Sequence, residues 1–437
     1  MDVRKNIKDL SAADITRFIE AVRWVKLHNR DGSASTQGGM YQKFIDWHSA
    51  PAPVNLAKLN NYSLAVTDPF VASDTITQIR IDGRDVTLTA PAPSITDPSA
   101  VGTALNTLVA HGDSATFAVF NSTSASSDFR IACSNSPFII ESARLTVGGA
   151  ARTVPFTKGP DIGDFSLAVQ NIAHGNPLFL PWHRVFVRFL ELDLQHADRQ
   201  RGNDGKIAVP YWNWDNDRSE TFKLWTDAIA GPFSTEADGR MTSGFFRAKN
   251  AAPPGDWVIY RLSGGAISEA APNYLMRHVK GAPASPIPPN AVDFLMGFAE
   301  YDSPPFDTSA QFRSNLEDIH GDVHVWIGGR DGHMRNVAVS PNDIVFFMHH
   351  CNVDRIWSRW QRDHRRANQY PPFGLLPGLR KADLMEPWKS LPAGNDYKVN
   401  VSASHVLNWQ NFDPSVNAKL GTGYKYDCES SITLSSP

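Results

Sequence analysis

Histidine is the residue type in this chain whose spacing most suggests chemistry. His320 and His324 stand four apart in LEDIHGDVHVWIGG, and His350 follows in FFMHHCNVDRIWSRW. His174 and His183 lie nine apart in HGNPLFLPWHR, with His28 and His48 well before them. Residues at i and i+4 share one helix face with Cβ atoms about 5–6 Å apart, so two imidazoles there can close on one metal ion. Taken as His48, His174 and His183 in one set and His320, His324 and His350 in the other, they form two three-imidazole ligand sets. Such sets leave open positions for a small molecule between two ions. Imidazole suits copper, and Cu(II) heads the divalent affinity order, so a coupled binuclear copper site is the leading expectation. Spacing alone leaves His48 and His28 level as the third member of the first set.

The neighbours of these histidines could support them. Asp354 lies one helical turn after His350. It could accept a hydrogen bond from a neighbouring side chain and fix its helix, as groups behind ligand imidazoles do. Asp354 and Arg355 could equally form a solvent-facing, salt-bridged surface. His28, His111, His196, His278, His364 and His405 read as surface or packing residues. His349 reads as a core or supporting residue, because adjacent helical positions point in different directions. His333 lies in GGRDGHMRNVAVSPND, a loop expected to border the mouth of the site.

Helices must carry most of these groups. Ser-Ala-Ala-Asp at 11–14, followed by Ile15, Phe18, Ile19, Val22 and Val25, predicts a helix over 11–30. MYQKFIDWH predicts a short helix over 40–48 from which His48 projects. Residues 178–197 carry an apolar stripe at helical spacing with a Pro near the first turn, where it is tolerated. Residues 312–326 and 344–362 predict two more long helices. Between 50 and 165, runs such as TITQIRIDG, VTLTAP, ATFAVFN, FRIACS and FIIESARLTVGG predict strands between turn residues. VPYWNWDND is a short aromatic stretch closing on the core. Loops with short helices are expected over 215–300, and loop followed by strands after 365, in VSASHVLNWQ and LGTGYKYDCES.

Composition narrows the field. At 437 residues the chain exceeds one ordinary core, so a large unit with an insertion is expected. A net charge of −3, without a basic stripe, points away from nucleic acid and toward a small-molecule partner. The 12 Trp and 24 Phe suit a large core and an aromatic-lined pocket. Three cysteines, Cys133, Cys351 and Cys428, cannot make a disulfide framework. The polar start predicts no signal peptide, and no apolar run reaches the roughly 18 residues of a membrane span. A cytoplasmic, non-membrane protein is the expectation; the oligomeric state is open.

FLPWHRVFVRFLELDL resembles the copper-A signature of the tyrosinase and polyphenol oxidase family, and SPNDIVFFMHHCNVDRIWSRWQ its copper-B signature. LSAADITRFIEAV, PYWNWD and LEDIHGDVHVWIGG are also similar to family segments, so the likeness spans most of the chain outside the β-rich stretch. The resemblance implies two copper ions, one on His48, His174 and His183 and one on His320, His324 and His350, with O2 as co-substrate. It implies His350 rather than His349, because the family ligand lies four residues before the Asp of the motif. It implies a water-holding carboxylate at Glu317, acting as general base, and a tyrosine motif at Tyr424 and Tyr426 packing near an arginine such as Arg4.

The fold it implies is mainly α: a four-helix-bundle dicopper core from 1–49 and 166–437, with a β-rich subdomain, 50–165, inserted between the first and second copper-A histidines. The activity it implies is oxidation of small phenols to o-quinones. The substrate pocket is expected at Gly321, Val325, Met334, Val337 and Val339, with an apolar residue of the 328–340 loop over the ring. Phe346 and Phe347 are expected in the core. No C-terminal shielding domain is expected.

Three departures qualify the likeness. Gly321 stands where family members often carry Asn, which puts monophenol hydroxylation in question and leaves Asp322 as a substitute. Ile344 replaces a usual Pro. Ile172 stands two residues before His174, so the Cys–His thioether of some relatives cannot form. A haemocyanin-like oxygen carrier is the main rival, and a dizinc hydrolase a more distant one.

Overall fold

The computed structural model describes residues 2–49, 60–64, 70–81, 84–88, 91–97, 100–101, 117–121, 129–133, 140–158, 173–219, 222–232, 239–252, 254–263, 266–277, 287–302, 311–366, 368–371 and 379–429. His111 and His278 lie outside these residues. So does part of the segment expected to be β-rich.

Helices form where the apolar stripes predicted them. Helix α1 (Ala12–Leu27) begins at Ser11, whose hydroxyl accepts the Asp14 N–H, and it buries Ile15, Phe18, Ile19, Val22 and Val25. Helix α2 (Gln42–Ser49) is short and presents His48 close to its end. Helix α3 (Phe179–Gln200) is buried along most of its length and packs on α1. Helices α4 (Ala291–Met296), α5 (Phe312–Gly328) and α6 (Val345–Asp363) follow, with α3 against α5 and α6, and α5 against α6. Trp182, Phe186, Phe346, Phe347 and Trp357 belong to the hydrophobic core these helices share.

Burying α3 also buries its charges, and each finds an opposite charge. Arg184 donates to Asp354 at 2.6 Å, Arg188 to Glu191 at 2.6 Å, and Arg4 to Glu191 at 3.0 Å. Arg4 lies in strand β1 (Asp2–Arg4), which pairs in parallel with the chain's last described strand, Tyr424–Tyr426. The tyrosine motif therefore packs on the N-terminal arginine, with the Arg4 guanidinium 3.5 Å from the Tyr424 ring centre.

Seven strands follow α2 and precede α3: β2 (Asn60–Leu64), β3 (Thr75–Ile81), β4 (Arg84–Thr87), β5 (Phe117–Asn121), β6 (Phe129–Cys133), β7 (Ile140–Val147) and β8 (Ala150–Lys158). Among the described residues they form one antiparallel sheet in the order β4-β3-β7-β8-β2-β6-β5. The sheet has its own small core of Leu64, Ile76, Ile79, Ile81, Ile140, Ala143 and Leu145, separate from the helical one. Ile76 and Ile79 share a face despite their odd spacing because the β3–β7 register shifts between Ile76 and Gln78.

Two stretches differ from expectation. VSASHVLNWQ, read as a strand, contains helix α7 (Ala403–Val406). Ser402 and His405 close a capping box there, the Ser402 N–H donating to His405 Nδ1 at 3.1 Å, and this local bonding outweighs the alternation. In 215–300, β9 (Tyr260–Ser263) and β10 (Ala266–Glu269) form an antiparallel hairpin on either side of a Gly-Gly dipeptide, a turn signal that the loop reading passed over. Tyr424–Tyr426 is strand β11, as expected. Among the described residues no helix is long and apolar enough to cross a membrane.

Candidate metal centre

Four helices and one loop bring the histidines together. His48 comes from α2, His174 from the loop before α3, His183 from the first turns of α3, His320 and His324 from successive turns of α5, and His350 from α6. The ligand atoms of His48, His174 and His183 all lie within 4.8 Å of one another, and so do those of His320, His324, His349 and His350. His48 Nε2 lies 3.4 Å from His183 Nε2, and His324 Nε2 lies 3.4 Å from His350 Nε2. The two sets abut: the His183 and His350 rings stack at 4.2 Å between centres. His28 is elsewhere, stacked on Trp24. Tertiary structure thus separates the two candidates that spacing left level.

Backbone carbonyls set the orientation of four rings. The Nδ1–H of His48 donates to Val337 O, that of His183 to Phe179 O at 2.8 Å, that of His320 to Glu317 O at 3.0 Å, and that of His324 to Met334 O at 2.7 Å. A ring protonated at Nδ1 and neutral carries a lone pair at Nε2. Burial keeps these rings neutral: it pushes His48 down to about 3 and His324 to about 4, and it lowers His174, His183, His320 and His350 well below the usual histidine value.

This arrangement tests whether a metal fits. In the first set two Nε2 lone pairs face each other at 3.4 Å with no proton to share, which is repulsive unless a cation accepts both. His320 Nε2 is buried without a hydrogen-bond partner among the described residues. Buried polar atoms are almost always satisfied, so an orphan at this position points to an absent ion. Neither set includes a carboxylate, and neutral imidazoles suit copper.

His349 lies closer to the site than expected. Its ring stacks on His320 at 5.1 Å and 7°, and it is fully buried. Adjacent helical positions do diverge, yet both rings of the pair contact His320 and His324 on α5.

Glu317 and Asp354 are held in different ways. The Glu317 carboxylate accepts the Gly175 N–H at 2.7 Å and pairs with Arg313, which also pairs with Asp302 at 2.6 Å. Burial pushes Glu317 above the usual glutamate range, and Arg313 and the Gly175 N–H pull it back only in part. Asp354 does not face solvent. It accepts from Arg184, Arg4, Tyr424 and Tyr426, which ties α6 to α3 and to both chain ends. Arg355 instead donates to Asn352 and Asn213.

The residues expected around a substrate are placed unequally. Val325 and Val337 are exposed at 44% and 46%, Val339 is half-buried, and a Cβ added at Gly321 would meet nothing within 4 Å among the described residues. Met334, expected as a candidate over the substrate ring, has no exposed surface; its side chain packs in the main core and its carbonyl serves His324. Phe346 and Phe347 are fully buried, although Phe346 also contacts the His48 and His350 rings. Sequence reasoning missed Arg313, Gly175 and the carbonyls of Met334 and Val337. Arg313 had a signal, standing one turn before Glu317; a carbonyl has none.

Two all-histidine sets in contact on a helical scaffold define a binuclear metal protein. Residues 149–363 match the common central domain of tyrosinase. The tyrosinase of Streptomyces lincolnensis is 35% identical over 226 residues, which span 50% of this chain and 75% of that protein. The tyrosinase of Streptomyces glaucescens is 35% identical over 235 residues, spanning 52% and 77%. The chain belongs to the tyrosinase family. Among solved structures, a functional unit of Octopus hemocyanin is 16% identical and covers 98% of this chain and 68% of its own, with a TM-score of 0.46. That likeness is too low to bear on function.

Proposed function

We propose that this protein oxidises phenols with O2 to o-quinones at a coupled dicopper centre. It is a copper-dependent oxidoreductase of the tyrosinase and catechol oxidase kind, with O2 as co-substrate. The observation that carries the reading is the pair of facing Nε2 lone pairs in the first set beside a second set of the same composition.

On this reading one copper is held by His48, His174 and His183 and the other by His320, His324 and His350, with His349 as support behind His320. A bound copper pair would supply O2 binding, the oxygen atom added ortho to a monophenol's hydroxyl, and the two-electron oxidation of a catechol to its o-quinone. Glu317 takes the phenolic proton through a water, and its burial-raised pKa makes it a stronger base near neutral pH. Arg313 and Gly175 hold that carboxylate in place. Gly321, Val325, Val337 and Val339 border the substrate, which reaches the site on the side where Gly175, Val325 and Val337 are exposed. The empty space at Gly321 leaves no amide beside Glu317, so catechols are the better substrates and monophenols are hydroxylated more slowly.

The organisation proposed is a four-helix-bundle core from 1–49 and 166–437 with residues 50–165 as an inserted subdomain, supported by the separate hydrophobic core of the sheet. The test is direct. Copper-loaded full-length protein given a catechol in air should develop o-quinone absorbance and consume O2. A haemocyanin-like carrier would do neither, and that result overturns the enzyme reading.

A further inference from the structure

One short loop holds an imidazole from each half-site. His48, on α2, donates to the Val337 carbonyl, and His324, on α5, donates to the Met334 carbonyl, so ligands of different sets hang on carbonyls three residues apart. The loop is itself pinned at His333. The His333 N–H donates to Met276 O at 2.9 Å, and the Met276 N–H donates back to His333 Nδ1 at 3.0 Å. Gly332 permits this approach, because a Cβ there would lie 2.4 Å from Gly328 O and 3.0 Å from Met276 O. The next residue of the strut, Arg277, is fully buried and makes a two-pronged pair with Asp343 at 2.6 Å, and Asp343 caps the start of α6 by accepting the Val345 N–H. At its far end the loop is tied toward α2 through Tyr41, whose hydroxyl donates to Pro341 O at 2.7 Å.

We propose that His333 is a positioning residue that sets both half-sites at once through the 333–339 loop, so that the two coppers bind as a coupled pair. The proposal rests on the dicopper reading. A metal bound by His48 fixes that ring and with it the Val337 carbonyl; the loop then holds Met334 O, and His324 is oriented before the second ion arrives. Ordering already done for the first ion need not be repeated for the second, which is positive coupling, and linkage makes it reciprocal. His333 acts through these carbonyls and touches neither metal nor substrate.

The experiment titrates metal-free, full-length protein with copper against a competing chelator and measures copper per chain and the apparent affinity of each half-site. Wild type is expected to take up two coppers with little singly loaded form. His333→Leu removes the acceptor for the Met276 N–H and should lower affinity at both half-sites by about 10–100-fold, the usual effect of losing a group that orients a ligand. His333→Asn, whose side-chain oxygen can accept the same N–H, should restore most of the loss. His183→Ala, which leaves the loop contacts intact but cripples the first set, should weaken copper at the second set as well.

Wild-type affinity in His333→Leu, or a loss confined to one half-site, overturns the proposal and leaves the dicopper reading standing. If His333→Leu does not fold, unchanged second-set affinity in His183→Ala overturns the coupling in its place. Fewer than two coppers on the wild type overturns the dicopper reading itself.

Discussion

The Glu317 carboxylate accepts the backbone N–H of Gly175 at 2.7 Å, the residue beside His174. The same residue's carbonyl accepts the Nδ1–H of His320 at 3.0 Å. One glutamate therefore touches the loop of the first histidine set and a ring of the second. Glu317→Gln keeps an acceptor for Gly175 but cannot take a proton. Copper content should stay at two per chain while kcat for a monophenol falls by about 10²-fold or more, the usual range for a lost general base. A Gln variant with undiminished turnover would remove Glu317 from the proton path.

Gly321 lies inside α5, and a Cβ added there would meet nothing within 4 Å among the described residues. Gly321→Asn should therefore fold normally and raise the ratio of monophenol to catechol turnover, because an amide beside Glu317 can help hold the water that takes the phenolic proton. Oxygen uptake on a matched phenol and catechol measures the ratio. An unchanged or lower ratio would show that this position does not govern deprotonation.

His183→Ala and His320→Ala each remove one ring from a different set. Each should abolish oxidation while leaving the far-ultraviolet circular dichroism close to wild type, since the main core is apolar and extensive. Retained catechol turnover in either would strike that residue from the proposed ligands.

Lys26 is buried with no hydrogen-bond partner for its ammonium among the described residues, facing the rings of Trp257, Tyr41 and Tyr260 at 5.0 to 5.4 Å. Burial pushes its pKa down to about 7, with Asp46 opposing. The unfolded lysine titrates near 10.4, so between there and about 7 the unfolded chain binds more protons and stability rises with pH. Lys26→Met keeps the volume and removes the charge. It should raise stability by on the order of 2–4 kcal/mol at pH 7 and by less at pH 10. Denaturant unfolding at the two pH values checks this; an equal gain at both would show that the charge is not the cause.

Asp354 joins α6 to Arg184 and Arg4 and to both tyrosines of β11. Burial alone would raise its pKa, but Arg184 and Arg4 outweigh that and hold it below the usual aspartate value. Its contribution is present above the unfolded pKa and is lost as pH falls through the depressed folded value. Asp354→Asn leaves two buried guanidinium groups short of a charge and should cost about 3–5 kcal/mol. A melting temperature within a degree or two of wild type would refute this.

Local rules made much of this protein legible. The stripe from Ile15 to Val25, the Ser11 cap, and the i, i+4 pair at His320 and His324 are encoded in residues a turn apart, so helices α1 and α5 could be read directly. The strand runs of 75–147 were readable in the same way, because alternation is local; the bulge that puts Ile76 and Ile79 on one face was not. His48 could not be told from His28 by spacing, since nothing local records which helix end meets α3 across the intervening sheet. His349 could not be placed either, since its proximity to His320 depends on how α5 and α6 pack.

The sequence alone determined which residue types could ligate a metal and which helices carry them. Tertiary structure decided how these rings face one another: Nδ1 of His48, His183, His320 and His324 is turned to the carbonyls of Val337, Phe179, Glu317 and Met334, and a carbonyl's direction depends on how the backbone folds rather than on the side chain it bears.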